Sequence, residues 1–569
     1  MEQMAPLTVI LERLTAGESP EDILISLRSA GERELLRRCA VVRTFDRAAF
    51  DEVLAVATHQ DDVPSFDEFV QSPEVEPVPR TTEVYRLRRD ARLTNWRDWW
   101  RDQPASSTAE LPTALKQLTS RLVQHYRAAE QEIDLLAQLA LVDPDQAADL
   151  LEKLYRQADE RFDLATCQDL LDVLNDPDRS GFLGVKLTEL RDDRAAYLRA
   201  RSLWSSDYLR TACYLEPADA GDIYERLITG QGPQVLHLHG PGGRGKTMAL
   251  RWLTARQLVP ERRHPGAFGT GRIPCARVDF DFVDPVNATA NPWLVLLEAA
   301  AQLNEQLPLA PFGEYLETYG WAAPLLRRNP ADRDRVKAAS KRLASQRDRI
   351  ARSAPRHFTH ILKEKAASRP VVLILDTLEE VHLRPQGDLA ELLRLLNSLL
   401  EQCNTLRVIL SGRYPIVEVL GAAASELPPM DEHFVQPFSP DDSDRYLESM
   451  RGIARPAIRQ AIVEKVGGDP FKLALLADIV QQQPLLDPAG IQKYEADLIY
   501  LILRVIHRIE DPRIHWLLLY GVVPRTLTLE FVTDVMQPYL RRVMAGTLAF
   551  QSPIEDLLPR EVVGSVRCV

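Results

Sequence analysis

The 569-residue chain is 45% hydrophobic and 27% charged, a balance that predicts a soluble globular protein with room for roughly three to five domains. A net charge of −13 excludes a global basic field drawing the whole chain to nucleic acid or anionic lipid, and leaves a local basic patch open. Six cysteines with no C-x-x-C pair argue against a disulfide framework and a structural zinc site, and fit a reducing, cytoplasmic setting. Met1-Glu-Gln-Met-Ala-Pro lacks the basic and apolar regions of a signal peptide, and apolar runs such as Trp293–Leu297 are too short to span a bilayer.

In chain order, residues 1–90 predict short helices and then a hairpin. Leu35, Leu36, Cys39 and Val42 recur at helical spacing, Phe45–Leu54 and Ser65–Val70 read as two further helices, and Val75–Val78 and Val84–Leu87 alternate like paired strands. Three helices and a hairpin make a winged helix, with Arg80, Arg86, Arg88, Arg89 and Arg92 on or after its wing. Residues 91–200 read as all helix. Leu135, Leu136, Leu139 and Val142 form one apolar face and, after Asp143-Pro144, Ala147, Leu150, Leu151 and Leu154 form the next.

Residues 201–425 alternate strand and helix, the pattern of a parallel-sheet α/β core. The predicted strands are Val235–His239, Ala276–Phe282, Val371–Leu375 and Arg407–Ser411, with a fifth near His433–Gln436. Residues 437–484 turn helical, with Ser439 placed to cap a helix. Residues 485–569 carry further helices, including Asp497–Ile509 and Arg513–Tyr520, and a second candidate winged helix. Its apolar spacing can be laid beside that of the first module, so an internal duplication is one reading and convergence of three-helix modules the other.

The chemistry concentrates at Gly240-Pro241-Gly242-Gly243-Arg244-Gly245-Lys246-Thr247, between an apolar strand and a helix opening at Met248. This is a phosphate-binding P-loop. Its glycines let backbone N–H groups curl around a polyphosphate, and the helix N-terminus adds a favourable dipole. Lys246 is expected on the β- and γ-phosphates and Thr247 on Mg²⁺. Val371-Val-Leu-Ile-Leu375-Asp376 reads as a buried parallel strand ending in a carboxylate, which places Asp376 to hold Mg²⁺ opposite Thr247. Glu379 is the first choice, and Glu380 the second, for orienting an attacking water, and both also suit a helix N-terminus. Arg413, beyond the next strand, is placed to sense the γ-phosphate. Asp279 and Asp281 allow a supporting metal role, although capping of the turn at Asp284-Pro285 fits better.

Together, Gly240–Thr247, the run ending at Asp376, Arg413 after its strand, and Gly467-Gly468-Asp469-Pro470-Phe-Lys-Leu473 resemble the STAND class of P-loop NTPases, within the AAA+ group. The resemblance covers about residues 200–569. It implies a multidomain α and α/β fold: an AAA+/STAND-like parallel-sheet core flanked by helical and winged-helix domains. It also implies strand order 5-1-4-3-2, ATP or ADP with Mg²⁺ as cofactors, and a Gly-x-Pro lid element whose Pro470 lies against the nucleotide. The domains expected are a winged-helix-like module at 1–90, a helical domain at 91–200, the core at 201–425, a helical lid at 426–484 and a winged helix at 485–569. The sequence departs from the class pattern at Thr377, where an acidic residue often stands. The box usual ahead of the P-loop is replaced by Tyr214-Leu-Glu216 with Asp222-Ile-Tyr-Glu-Arg226. No guanine-binding motif is found, which favours ATP over GTP.

The function implied is a nucleotide-gated signalling switch with slow ATP hydrolysis. The N-terminal residues would dock a protein partner or effector, and ATP would promote homo-oligomers. The alternative is a nucleotide-regulated DNA-binding regulator reading through its winged helices; DNA is less favoured in so acidic a chain, and no membrane role is expected.

Overall fold

The computed structural model describes residues 13–17, 28–56, 63–79, 81–100, 111–176, 179–216, 220–261, 272–307, 309–328, 332–365, 369–382, 389–420, 429–493 and 534. The second candidate winged helix lies almost wholly outside the described residues, and Arg80 also lies outside them. The chain falls into two compact units. One holds the described residues up to Ser205 with Ala301–Glu314; the other holds Ser206–Ala300 and the described residues from Tyr315 onward.

In the first unit the N-terminal helices form where the sequence caps them. Ser29 accepts from the Glu32 amide ahead of Ala30–Cys39, Asp46 caps Arg47–Ala49, and Ser65 and Glu68 form a reciprocal capping box on Phe66–Phe69. Strands β1 (Val75–Pro77) and β2 (Tyr85–Leu87) then pair antiparallel, Val75 opposite Leu87. Phe45, Phe50, Phe66, Phe69 and Tyr85 fill the space between helices and hairpin, with neighbouring rings 5.4–6.4 Å apart. The predicted helical region follows as Thr113–Ala128, Glu132–Val142, Pro144–Glu160, Leu164–Asp172 and Gly184–Leu203. Asp143 caps the third of these, at the break the sequence shows.

The second unit is built on five parallel strands: β3 (Val235–His239), β4 (Cys275–Asp279), β5 (Val371–Asp376), β6 (Leu406–Gly412) and β7 (Met430–Phe434), in the order β4-β5-β6-β3-β7. This is the 5-1-4-3-2 order that the resemblance implies. β5 is buried along its whole length, as a central parallel strand between helical layers must be. Two strand boundaries are corrected: the second strand ends at Asp279, not Phe282, and the fifth occupies Met430–Phe434 rather than His433–Gln436. The helices that follow β7 have a core of their own, built from Leu447, Ile458, Ile462, Leu473 and Leu476 with Leu215.

Candidate nucleotide-binding site

β3 delivers the chain into the P-loop, and the helix Lys246–Trp252 opens directly after Gly245. Gly245 caps that helix with φ at +88°, a left-handed conformation that a side chain would strain. The helix begins at Lys246, two residues before the predicted start, which puts Lys246 and Thr247 in its first turn. Lys246 is buried, and its Nζ donates to the carbonyls of Gly240 (2.6 Å) and Pro241 (3.0 Å). Burial pulls the Lys246 pKa below its ordinary value, an effect that Glu379 and Asp376 partly offset.

Register brings the two acidic strand ends together, with Asp279 of β4 opposite Asp376 of β5. Asp376 is 1% exposed. Its Oδ1 accepts from the Thr377 amide at 2.9 Å, while Oδ2 has no hydrogen bond. Burial, and then the Asp279 charge, push the Asp376 pKa up to about 6; the Ser411 and Thr247 hydroxyls and Arg277 ease it. Ser411 Oγ itself forms no well-aligned hydrogen bond, so its influence on Asp376 is that of a nearby dipole. Burial also raises the Asp279 pKa, although its Oδ1 accepts from Thr377 Oγ1 at 2.9 Å and from the Asp281 amide at 3.0 Å. Thr377 has φ at +64°, an uncommon state for a β-branched residue, so the chain turns under strain where β5 enters the site.

The two candidate glutamates have different partners. Glu379 is buried; its Oε1 accepts from Arg413 Nε at 2.9 Å and its Oε2 has no hydrogen bond. Glu380 accepts from Arg328 at 3.0 Å. Capping falls to Asp284, which takes the amides of Val286 and Asn287, as the sequence favours.

These groups share the wall of one cavity of about 700 Å³. Gly242, Gly243, Arg244, Gly245, Lys246, Thr247 and Met248 line it, together with Asp376, Glu379, Glu380 and Arg413. Gly240 and Pro241 are not in its lining; their carbonyls hold Lys246 instead. Pro470 and Phe471, at the start of the helix Pro470–Gln482, line it too, as do Tyr214, Leu215, Ile223 and Tyr224. The segment that replaces the usual box ahead of the P-loop therefore does border the cavity. Sequence reading gave no role to Arg210, Phe438, Tyr446 or Arg451, which also line it and carry no local motif. Ser411 did leave a signal: it is the one hydroxyl in the buried run Val408-Ile-Leu-Ser411.

Residues 228–420 match a family model described as an AAA domain. Solved structures similar to this chain include the Walker-type ATPase paby2304 of Pyrococcus abyssi, at 16% identity over 60% of this chain and 86% of that one, with a TM-score of 0.32. The Aeropyrum pernix ORC1 protein in complex with DNA is 14% identical over 63% and 85%, TM-score 0.34. Drosophila ORC bound to DNA is 12% identical over 64% and 81%, TM-score 0.27. Likenesses this loose bear on neither partner nor activity. No curated protein matches the chain. The matched segment holds the P-loop, β5 and β6, so the chain carries an AAA-type P-loop nucleotide-binding core flanked by helical regions.

Proposed function

We propose that this protein is an ATP-binding switch of the STAND type that hydrolyses ATP slowly. The observation that carries the reading is the shared cavity: the P-loop residues Gly242–Thr247, Asp376, Glu379, Arg413 and Pro470 all border one space of about 700 Å³, within the range of a small-ligand pocket. Nucleotide phosphates would lie on the loop amides, with Lys246 turning from its own loop carbonyls to the β- and γ-phosphates. Pro470 and Phe471 would close over the nucleotide as a lid.

The donor set suits Mg²⁺. Asp376 Oδ2 is a buried carboxylate oxygen with no hydrogen bond, and the Thr247 and Ser411 hydroxyls stand near it. Asp376 and Thr247 would hold the ion, which would neutralise charge on the phosphates. Glu379 is the residue proposed to orient water, because its Oε2 is unpaired inside the cavity wall while Glu380 serves Arg328. In this arrangement Arg413 holds Glu379; a γ-phosphate competing for Arg413 would release the carboxylate.

The N-terminal residues are proposed to dock a protein effector, with homo-oligomers forming on ATP binding. The DNA-regulator reading gains less support, because Arg86 pairs with Glu76 at 2.8 Å and Arg92 with Asp176 at 2.7 Å. Direct titration tests the proposal: Lys246→Ala is expected to weaken ATP binding at least about tenfold, or 1.4 kcal/mol. Glu379→Gln is expected to keep binding and lose most turnover. Unchanged affinity in Lys246→Ala removes the basis of the reading.

A further inference from the structure

Between β4 and β5 runs the 33-residue helix Arg333–Lys365, about 50 Å long at 1.5 Å per residue. It holds eleven Lys and Arg against three Asp and Glu, a formal charge of +8 in a chain whose total is −13. Its two faces divide cleanly. Ala339, Leu343, Ile350, Ala354, Phe358 and Ile361 are buried along one stripe. That stripe is tied down: Tyr319 Oη donates to Ser353 Oγ at 3.2 Å, and the Phe358 ring packs against Tyr315 at 5.9 Å.

On the opposite face Lys337, Lys341, Arg352, Arg356 and Lys363 are exposed, at spacings of 4, 11, 4 and 7 that keep them on one side of the helix. Among the described residues none of these five has an acidic partner. Their neighbours on that face include Asp334, Ala338, Ser345 and Asp348, two of them acidic and none of the four a large apolar side chain. A membrane-surface helix inserts aromatic or aliphatic side chains, and a protein interface has an apolar core. This face offers neither. It offers a row of cations along a helix whose other face is buried, with Pro355 inside it, and this row complements the regular charge of a phosphodiester backbone.

We propose that the outer face of Arg333–Lys365 binds the backbone of duplex nucleic acid without reading sequence. None of these five residues lines the nucleotide cavity, and the proposal stands whether or not the switch reading holds.

The test is fluorescence anisotropy of the full chain with a random-sequence duplex in DNA and RNA forms, from about 50 to 200 mM salt. Wild type is expected to bind at low salt, with log K falling against log salt at a slope of about −4.5, as about five phosphate contacts require. Joint Lys337→Gln, Lys341→Gln, Arg352→Gln, Arg356→Gln and Lys363→Gln is expected to weaken binding at least about tenfold and remove most of that slope, with ATP affinity unchanged as the check on folding. The tighter of the two duplexes identifies the source of the backbone. The proposal is overturned if wild type binds neither duplex at low salt, if its slope is near zero, or if the five-site variant binds like wild type. It is overturned equally if Arg88→Gln with Arg89→Gln, on the hairpin side, removes the binding instead, or if phosphatidylserine vesicles bind and the duplexes do not.

Discussion

Asp279 and Asp376 occupy facing register positions on β4 and β5, and both are buried; burial and then the Asp279 charge raise the proton affinity of Asp376, while burial and the Asp281 charge raise that of Asp279. The pH consequence follows from linkage. The folded Asp376 pKa is about 6 against an ordinary 3.8, so across that window the folded state binds more protons than the unfolded one. Stability attributable to this group is therefore present below the ordinary value, falls as pH rises through the folded pKa, and is lost above it. Asp376→Asn is expected to melt higher than wild type at pH 7.5 without metal or nucleotide, with the difference shrinking toward pH 4.5. The same variant is expected to lose Mg²⁺-dependent ATP binding at least about tenfold. A melting difference independent of pH, in a series with chelator, would show that Asp376 is not the strained group. Asp376 was legible because an apolar run ended in a carboxylate. Its pairing with Asp279 depends on register between strands almost a hundred residues apart, and the +64° φ of Thr377 left no mark in the sequence.

At the scale of elements, the P-loop, the central strands and their order were readable because buried parallel strands leave continuous apolar runs. The two strand-end errors share one cause: apolarity continues where pairing stops, or fails where pairing continues. Phe280 is fully buried just past the last residue of β4, so the apolar pattern runs on beyond the strand. β7 is an edge strand of partly exposed Met-Asp-Glu-His-Phe and looks too polar to be one. The Gly467-Gly468-Asp469-Pro470 element was legible by resemblance, and the structure supplies a physical reason for its second glycine. A Cβ on Gly468 would stand 1.8 Å from the Phe438 carbonyl oxygen, and Phe438 N donates to Gly468 O at 2.8 Å. Backbone meets backbone there, and neither can yield as a side chain tip would. Gly468→Ala is expected to separate Phe438 from this junction, to cost about 1–3 kcal/mol of stability as overpacking does, and to speed ADP release several-fold. Stopped-flow release of a fluorescent ADP analogue checks this; a wild-type off-rate in Gly468→Ala would show that the junction does not restrain nucleotide.

At the scale of the whole molecule, composition gave an acidic total, but a sum hides its parts. The +8 helix was invisible in −13, because its charges alternate with the apolar positions of its inner face. The compact units were equally hard to read, since Ala301–Glu314 joins the N-terminal unit from inside the core's own stretch of sequence. The proposed switch is a property at this scale. Moving such an equilibrium from mostly closed to mostly open needs about 5.5 kcal/mol of differential binding, and contacts equal in both states contribute nothing. Two groups in the cavity wall are proposed to supply a difference between ADP and ATP: Arg413, which donates to Glu379 and for which a γ-phosphate would compete, and Pro470 with Phe471, which would act as a lid edge. Light-scattering mass is expected to report a single copy with ADP and a larger assembly with a non-hydrolysable ATP analogue and Mg²⁺. Pro470→Ala is expected to raise the assembled fraction with that analogue, because it weakens the closed state alone. Lys246→Ala is expected to abolish assembly, because nucleotide no longer biases either state. One mass under all these conditions would leave a nucleotide-binding core that drives no assembly, and the switch reading would then be abandoned while the P-loop assignment stood.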